Sequence, residues 1–151
     1  MRLALRLFSG IILLTGLAFL VSGALKVVGV GAFAEALVDQ SVIPPSVVPL
    51  VARLAGPIEI LVGLATIVLA LTGRARIAGM LSGVVLVLFA CYAMVLVLDP
   101  PLRGAPCGCF GSFDDRPADW TLVRVRNLAW GAIVMLSGLT VGRRAGGRAA
   151  S

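Results

Sequence analysis

The sequence predicts an all-α fold, an integral membrane bundle of four helices with both termini in the cytoplasm. Three observations lead there. Of the 151 residues, 60% are hydrophobic and only 13% charged, with a mean hydropathy of +1.07; a soluble domain carries about 25% charged residues. The apolar residues fall into four blocks too long for ordinary core helices. The basic residues punctuate those blocks instead of clustering on a polar face, so the net charge of +6 reads as topology and not as a nucleic-acid surface. The length suits one domain: a transmembrane bundle over residues 1–142, then a short, basic, disordered cytoplasmic tail over 143–151.

The first block runs from about Leu7 to Val30 and the third from about Ile77 to Leu98. At 1.5 Å per residue roughly 20 residues cross the hydrocarbon, so both span comfortably. The first block has a second reading as a cleavable signal, with Arg2 and Arg6 ahead of it and Val21-Ser22-Gly23 before a cleavage point. Its apolar run continues past Lys26 to Val30, longer than a signal core. The second block, about Pro57 to Leu71, is short unless the helix begins near Ser46 and kinks at Pro57. The fourth, about Thr121 to Val141, is long enough only if Arg124, Arg126 and Asn127 lie in its first turns. Between the first two blocks, "SVIPPSVVPL" reads as an extended or broken external segment.

Charge sets the orientation. Arg2 and Arg6, Arg74 and Arg76, and Arg143, Arg144 and Arg148 lie in three segments that contain no acidic residue. The positive-inside rule puts those segments, both termini and the middle loop, in the cytoplasm. Residues 31 to about 56 and 99 to about 120 then face outward, among them "PCGCFG" at 106–111. Disulfides persist on that side.

Cys107 and Cys109 admit four readings: a redox pair, a soft-metal clip, a structural staple or an accident. A bond closing so short a ring removes little chain entropy and staples poorly. Departures from preferred disulfide geometry store strain, and strained, exposed bonds are the labile and catalytic kind. Gly108 supplies the backbone freedom such a ring needs. Thiolates suit Cu(I) or zinc, but a tetrahedral zinc site needs further ligands and the chain has no histidine. No metal is expected. Cys91, about two turns inside the third helix, reads as a small core residue or as a buried thiol that takes the disulfide from the outer pair.

The remaining polar residues gather at the same end. Lys26 lies some 30 Å along the first helix from Arg6 and Glu59 in the first turn after Pro57, which makes them partners at one depth. They are either a structural ion pair or a polar site. Arg124 and Arg126 differ by about 200° around the fourth helix, so at most one faces the bundle. Arg126 shares a face with Trp130, where it can stack, and a guanidinium near the cysteines lowers a thiol pKa. Trp120 and these arginines also read as an interface anchor. Gly79, Gly83, Gly131 and Gly138 permit close helix approach.

"SGALKVVG", "GPIEILVGL", "PCGCFG" and "DWTLVRVRNL", in that order along most of the chain, resemble the MauE branch of the DoxX-like membrane proteins. The resemblance implies a four-helix, redox-associated membrane protein. The name-giving member is needed to make methylamine dehydrogenase, a periplasmic enzyme rich in disulfides, and acts beside a thioredoxin-like partner. By that resemblance the family's cysteine box falls on Cys107 and Cys109, its later Arg-Asn pair on Arg126 and Asn127 and its inner acid on Glu59. The expected function is therefore disulfide exchange by Cys107 and Cys109 with a thioredoxin-like extracytoplasmic protein during maturation of other proteins. Arg126 and Asn127 would support the thiolate, and Lys26 and Glu59 would brace the bundle. Partners are the lipid bilayer and that protein, with no nucleic acid. No cofactor is evident, and a quinone is neither required nor excluded. The rivals are a non-catalytic assembly factor and a small-solute transporter that uses Lys26 and Glu59.

Overall fold

Apolar helices in lipid gain nothing by hiding leucine, so contact between them falls to small residues that let backbones approach. The computed structural model, which describes residues 2–101, 105–107 and 117–148, is built this way. Its helices are α1 (Arg2–Val28), α2 (Val30–Gln40), α3 (Val48–Leu71), α4 (Ala75–Leu98) and α5 (Trp120–Arg148). Four contain stretches long and apolar enough to cross a membrane: Arg6–Val28, Val48–Leu71, Ala75–Leu98 and Trp120–Val141. The chain is a multi-pass membrane protein.

The antiparallel pairs α1/α3 and α4/α5 are each joined through glycine. A Cβ added at Gly23 would lie 2.6 Å from the carbonyl oxygen of Gly56, and one at Gly63 would lie 2.6 Å from that of Gly16. In the second pair, a Cβ at Gly79 would meet the Cα of Gly138 at 2.8 Å, and one at Gly131 the carbonyl oxygen of Gly83 at 3.3 Å. These four glycines of α4 and α5 do what their spacing predicts. Leucines and valines such as Leu14, Leu61, Leu88 and Leu122 point outward, where lipid solvates them.

At the end carrying the α3–α4 turn, Ile12, Ala75, Ala78 and Val134 form a closed core with Leu69 and Ala70 against it, so all four spans meet there. At the other end α2 intervenes. It follows α1 after one residue, Gly29, and packs Phe33 and Leu37 on Val48 and Ala52 of α3. That helix adds to the sequence reading, which placed residues 31 to about 56 outward and assigned no helix at their start: Phe33, Ala36, Leu37 and Gln40 are buried at helical spacing. Only 41–47 is irregular; Ser41 turns the chain with a positive φ of 57°. The second span starts at Val48, as the longer of the two readings requires, and runs through Pro57. Asp119 caps α5, its carboxylate accepting the Leu122 N–H at 3.0 Å. Beyond the last span the α5 helix continues to Arg148, so most of the segment expected as a tail extends α5.

Candidate functional site

The connection between α4 and α5 is pinned at its base. Pro106 and Pro117 form an antiparallel bridge, and the Ala118 N–H donates to the Ala105 carbonyl at 3.1 Å. Ala105 is buried with Ala93, Leu96 and Trp120, and Cys107 packs on this cluster. Cys107 is half-buried and disulfide-bonded. Cys109 lies outside the described residues.

A side chain from α2 holds this base from beneath. Gln40, 2% exposed, donates from Nε2 to the carbonyl oxygens of Pro106 at 2.9 Å and Cys107 at 3.5 Å. Its Oε1 accepts the Tyr92 hydroxyl of α4 at 2.6 Å. The backbone entering Cys107 is thus tied to two helices through one amide.

Deeper, the Lys26 ammonium of α1 pairs with the Glu59 carboxylate of α3, their side chains 7% and 4% exposed. Ser22 donates to the other Glu59 oxygen at 2.7 Å. The same ammonium lies 5.2 Å from the ring centroid of Phe33 and 5.6 Å from that of Phe89. One cation therefore ties α1 to α2, α3 and α4, and the expected pairing of Lys26 with Glu59 is present.

These features border one cavity of about 280 Å³ between α1, α2, α4 and α5. The chain has a single lysine, glutamine, asparagine and tyrosine, and Lys26, Gln40, Asn127 and Tyr92 all line it, with Cys107, Arg126 and both tryptophans. In a chain so poor in polar side chains, that convergence marks the cavity as the candidate site. Thr15 and Lys26 both line it from α1, eleven residues apart, which makes it a slot about 16 Å long.

Most expected site residues come together here. Arg126 faces the slot, whereas Arg124 turns to α4 and donates to the Met94 sulfur at 2.8 Å. Trp130 is engaged with α1 and not with Arg126: its indole N–H donates to Thr15 Oγ1 at 3.0 Å. Cys91 corrects the expectation of a buried thiol. It is free and exposed, since the buried stripe of α4 passes through Ala90 and Ala93 on either side of it. Among the described residues, no three His, Cys, Asp or Glu side chains gather to hold a metal ion. Gln40, Tyr92 and Trp120 were not expected in the site; their rarity in the sequence is the one signal that marks them.

The family model described as "Methylamine utilisation protein MauE" matches residues 4–142. No curated protein and no solved structure matches the chain.

Proposed function

Because the chain belongs to the MauE family, a family of membrane proteins of methylamine utilisation, we infer that it exchanges disulfides with a thioredoxin-like protein through Cys107 and Cys109. The setting is the outer face of the bacterial inner membrane, and the purpose is maturation of extracytoplasmic proteins, methylamine dehydrogenase by family. One observation carries this reading: the disulfide-bonded Cys107 sits on a base fixed by Gln40 and borders a largely apolar cavity on which a few polar side chains converge, while Cys91 is left free.

In the exchange, a partner thiolate attacks one sulfur of the Cys107–Cys109 bond and forms a mixed disulfide. The released thiolate or a second partner thiol then resolves it. A fixed backbone matters because the attacking sulfur must approach along the S–S axis. Gln40 and the Pro106–Pro117 bridge restrain that backbone. Arg126 supports the charge on a leaving thiolate, and Lys26 with Glu59 braces the bundle below. The arginine distribution supports the outward placement of the cysteines.

The test is trapping. The oxidised wild-type chain is expected to accumulate a mixed disulfide with a thioredoxin-like protein that keeps only its attacking cysteine, whereas Cys107→Ser and Cys109→Ser chains, which cannot form the Cys107–Cys109 bond, are not. Membrane insertion should stay intact. Wild-type maturation of the target enzyme by the double serine variant would leave an assembly factor as the correct reading.

A further inference from the structure

The slot holds polar groups with nothing to bond. Asn127 is 9% exposed, and its amide offers two donors and an acceptor. Trp120, also 9% exposed, carries an indole N–H, and Arg126 carries a guanidinium. All three border the slot, and none of these side-chain groups has a hydrogen bond or ion pair among the described residues. Donors turned toward an apolar space without partners are costly because desolvation goes uncompensated. Two on mostly buried residues and a third on the exposed Arg126, all around one largely apolar hole, describe a site for a hydrogen-bond acceptor supplied from outside the chain.

The remaining walls narrow its chemistry. Phe19, Phe89 and Trp130 present aromatic faces, which favour a flat ring. Lys26 is committed to Glu59, so among the described residues Arg126 is the cation on the wall without a counter-charge. A single cation among neutral donors suits a neutral acceptor that gains negative charge during reaction. The volume of about 280 Å³ admits a substituted ring, just below the roughly 300–1,000 Å³ of small-molecule sites. The 16 Å length leaves room for the start of an apolar tail. Cys107 lines the same slot.

We propose that the slot binds the ring of a lipid-soluble quinone, with its carbonyl oxygens on Asn127, Arg126 and Trp120, and that this quinone is the electron acceptor for the cysteine pair. The proposal rests on the disulfide-exchange reading. Exchange that oxidises a partner leaves Cys107 and Cys109 as thiols. Two S–H bonds then break and one S–S bond forms, and two electrons and two protons pass to the quinone, which leaves as quinol. Arg126 stabilises the oxygen that gains charge before its proton arrives.

The experiment uses the purified full chain in lipid nanodiscs, with ubiquinone-1 and menadione as probes. Both tryptophans line the slot, so a bound quinone quenches their fluorescence. Saturable quenching is expected, about tenfold weaker in Arg126→Gln and Asn127→Ala and unchanged in the lipid-facing Leu88→Ala. Arg126 is exposed enough for its variant to fold if the Asn127 variant does not. Pre-reduced protein mixed with quinone without oxygen should give one quinol per disulfide closed. Non-saturable quenching beside intact exchange with a thioredoxin-like protein overturns the quinone site and leaves the exchange reading standing. Quinone reduction without any mixed disulfide supports the site and removes the exchange partner instead. Displacement of the quinone by equimolar oleate, with no quinol formed, makes the slot a fatty-acid site and overturns the proposal, as does binding without thiol oxidation.

Discussion

Replacing Glu59 by Gln removes the negative half of a pair whose side chains are 7% and 4% exposed, and leaves the Lys26 ammonium without a counter-charge. Removing one partner of a buried ion pair costs about 3–5 kcal/mol. The rings of Phe33 and Phe89 still face the ammonium, each worth roughly 0.5–2 kcal/mol, so the lower end, about 3 kcal/mol, applies. At roughly 2–4 °C per kcal/mol for a chain of this size, the midpoint falls by about 6–12 °C. The Lys26→Met/Glu59→Leu double variant has no orphaned charge and should return to within about 1–2 kcal/mol of wild type. Thermal unfolding of wild type, Lys26→Met, Glu59→Leu and the double, followed by tryptophan fluorescence in one detergent, closes the cycle. A coupling of about 2 kcal/mol or more is expected. Single variants that each lose less than about 1 kcal/mol, and that add in the double, would refute the assignment of the pair as the joint between helices.

Gln40→Leu cuts the link from Tyr92 to the Cys107 backbone. Leaving those groups unpaired costs about 1–3 kcal/mol, so mixed-disulfide formation should slow about tenfold with insertion unchanged, measured by quenched gel-shift. Gly23→Ala puts a Cβ 2.6 Å from the Gly56 carbonyl oxygen and should destabilise by about 1–3 kcal/mol in the same unfolding assay. Thr66 is 0% exposed and its hydroxyl has no partner among the described residues; Thr66→Val should stabilise by roughly 1 kcal/mol, and a lower midpoint would contradict this. Cys91→Ser should leave the exchange rate unchanged, and any loss would restore Cys91 as a relay.

The four spans and the Lys26–Glu59 pair were legible because hydrocarbon imposes simple rules: about 20 apolar residues to cross, and a partner for each buried charge. Which face of a span turns inward was not legible from hydrophobicity, since lipid and core are equally apolar. Cys91 shows the result. It reads as a core residue, yet Ala90 and Ala93 are the buried positions beside it. In this chain the small residues mark the interior of α4, and Ile77, Val84 and Leu88 mark the outside. The α2 helix was readable in Phe33, Ala36, Leu37 and Gln40, but Glu35, Asp39 and the prolines that follow give it the composition of a loop. The Gln40–Tyr92 contact joins residues 52 apart, and no local pattern carries such a distance.

The spans are joined unevenly. Each glycine-zipped pair is stiff, because its backbones already touch and cannot close further. The pairs are clamped together by the core of Ile12, Ala75, Ala78 and Val134 at one end, and they part around the slot at the other. Such a body has the plan of a clothes-peg: any opening of its jaws would be a rotation about the clamped end, and a small change there would be magnified at the cysteine mouth. Substitutions at Ile12 or Val134, far from any thiol, therefore act on the width of the mouth through leverage alone.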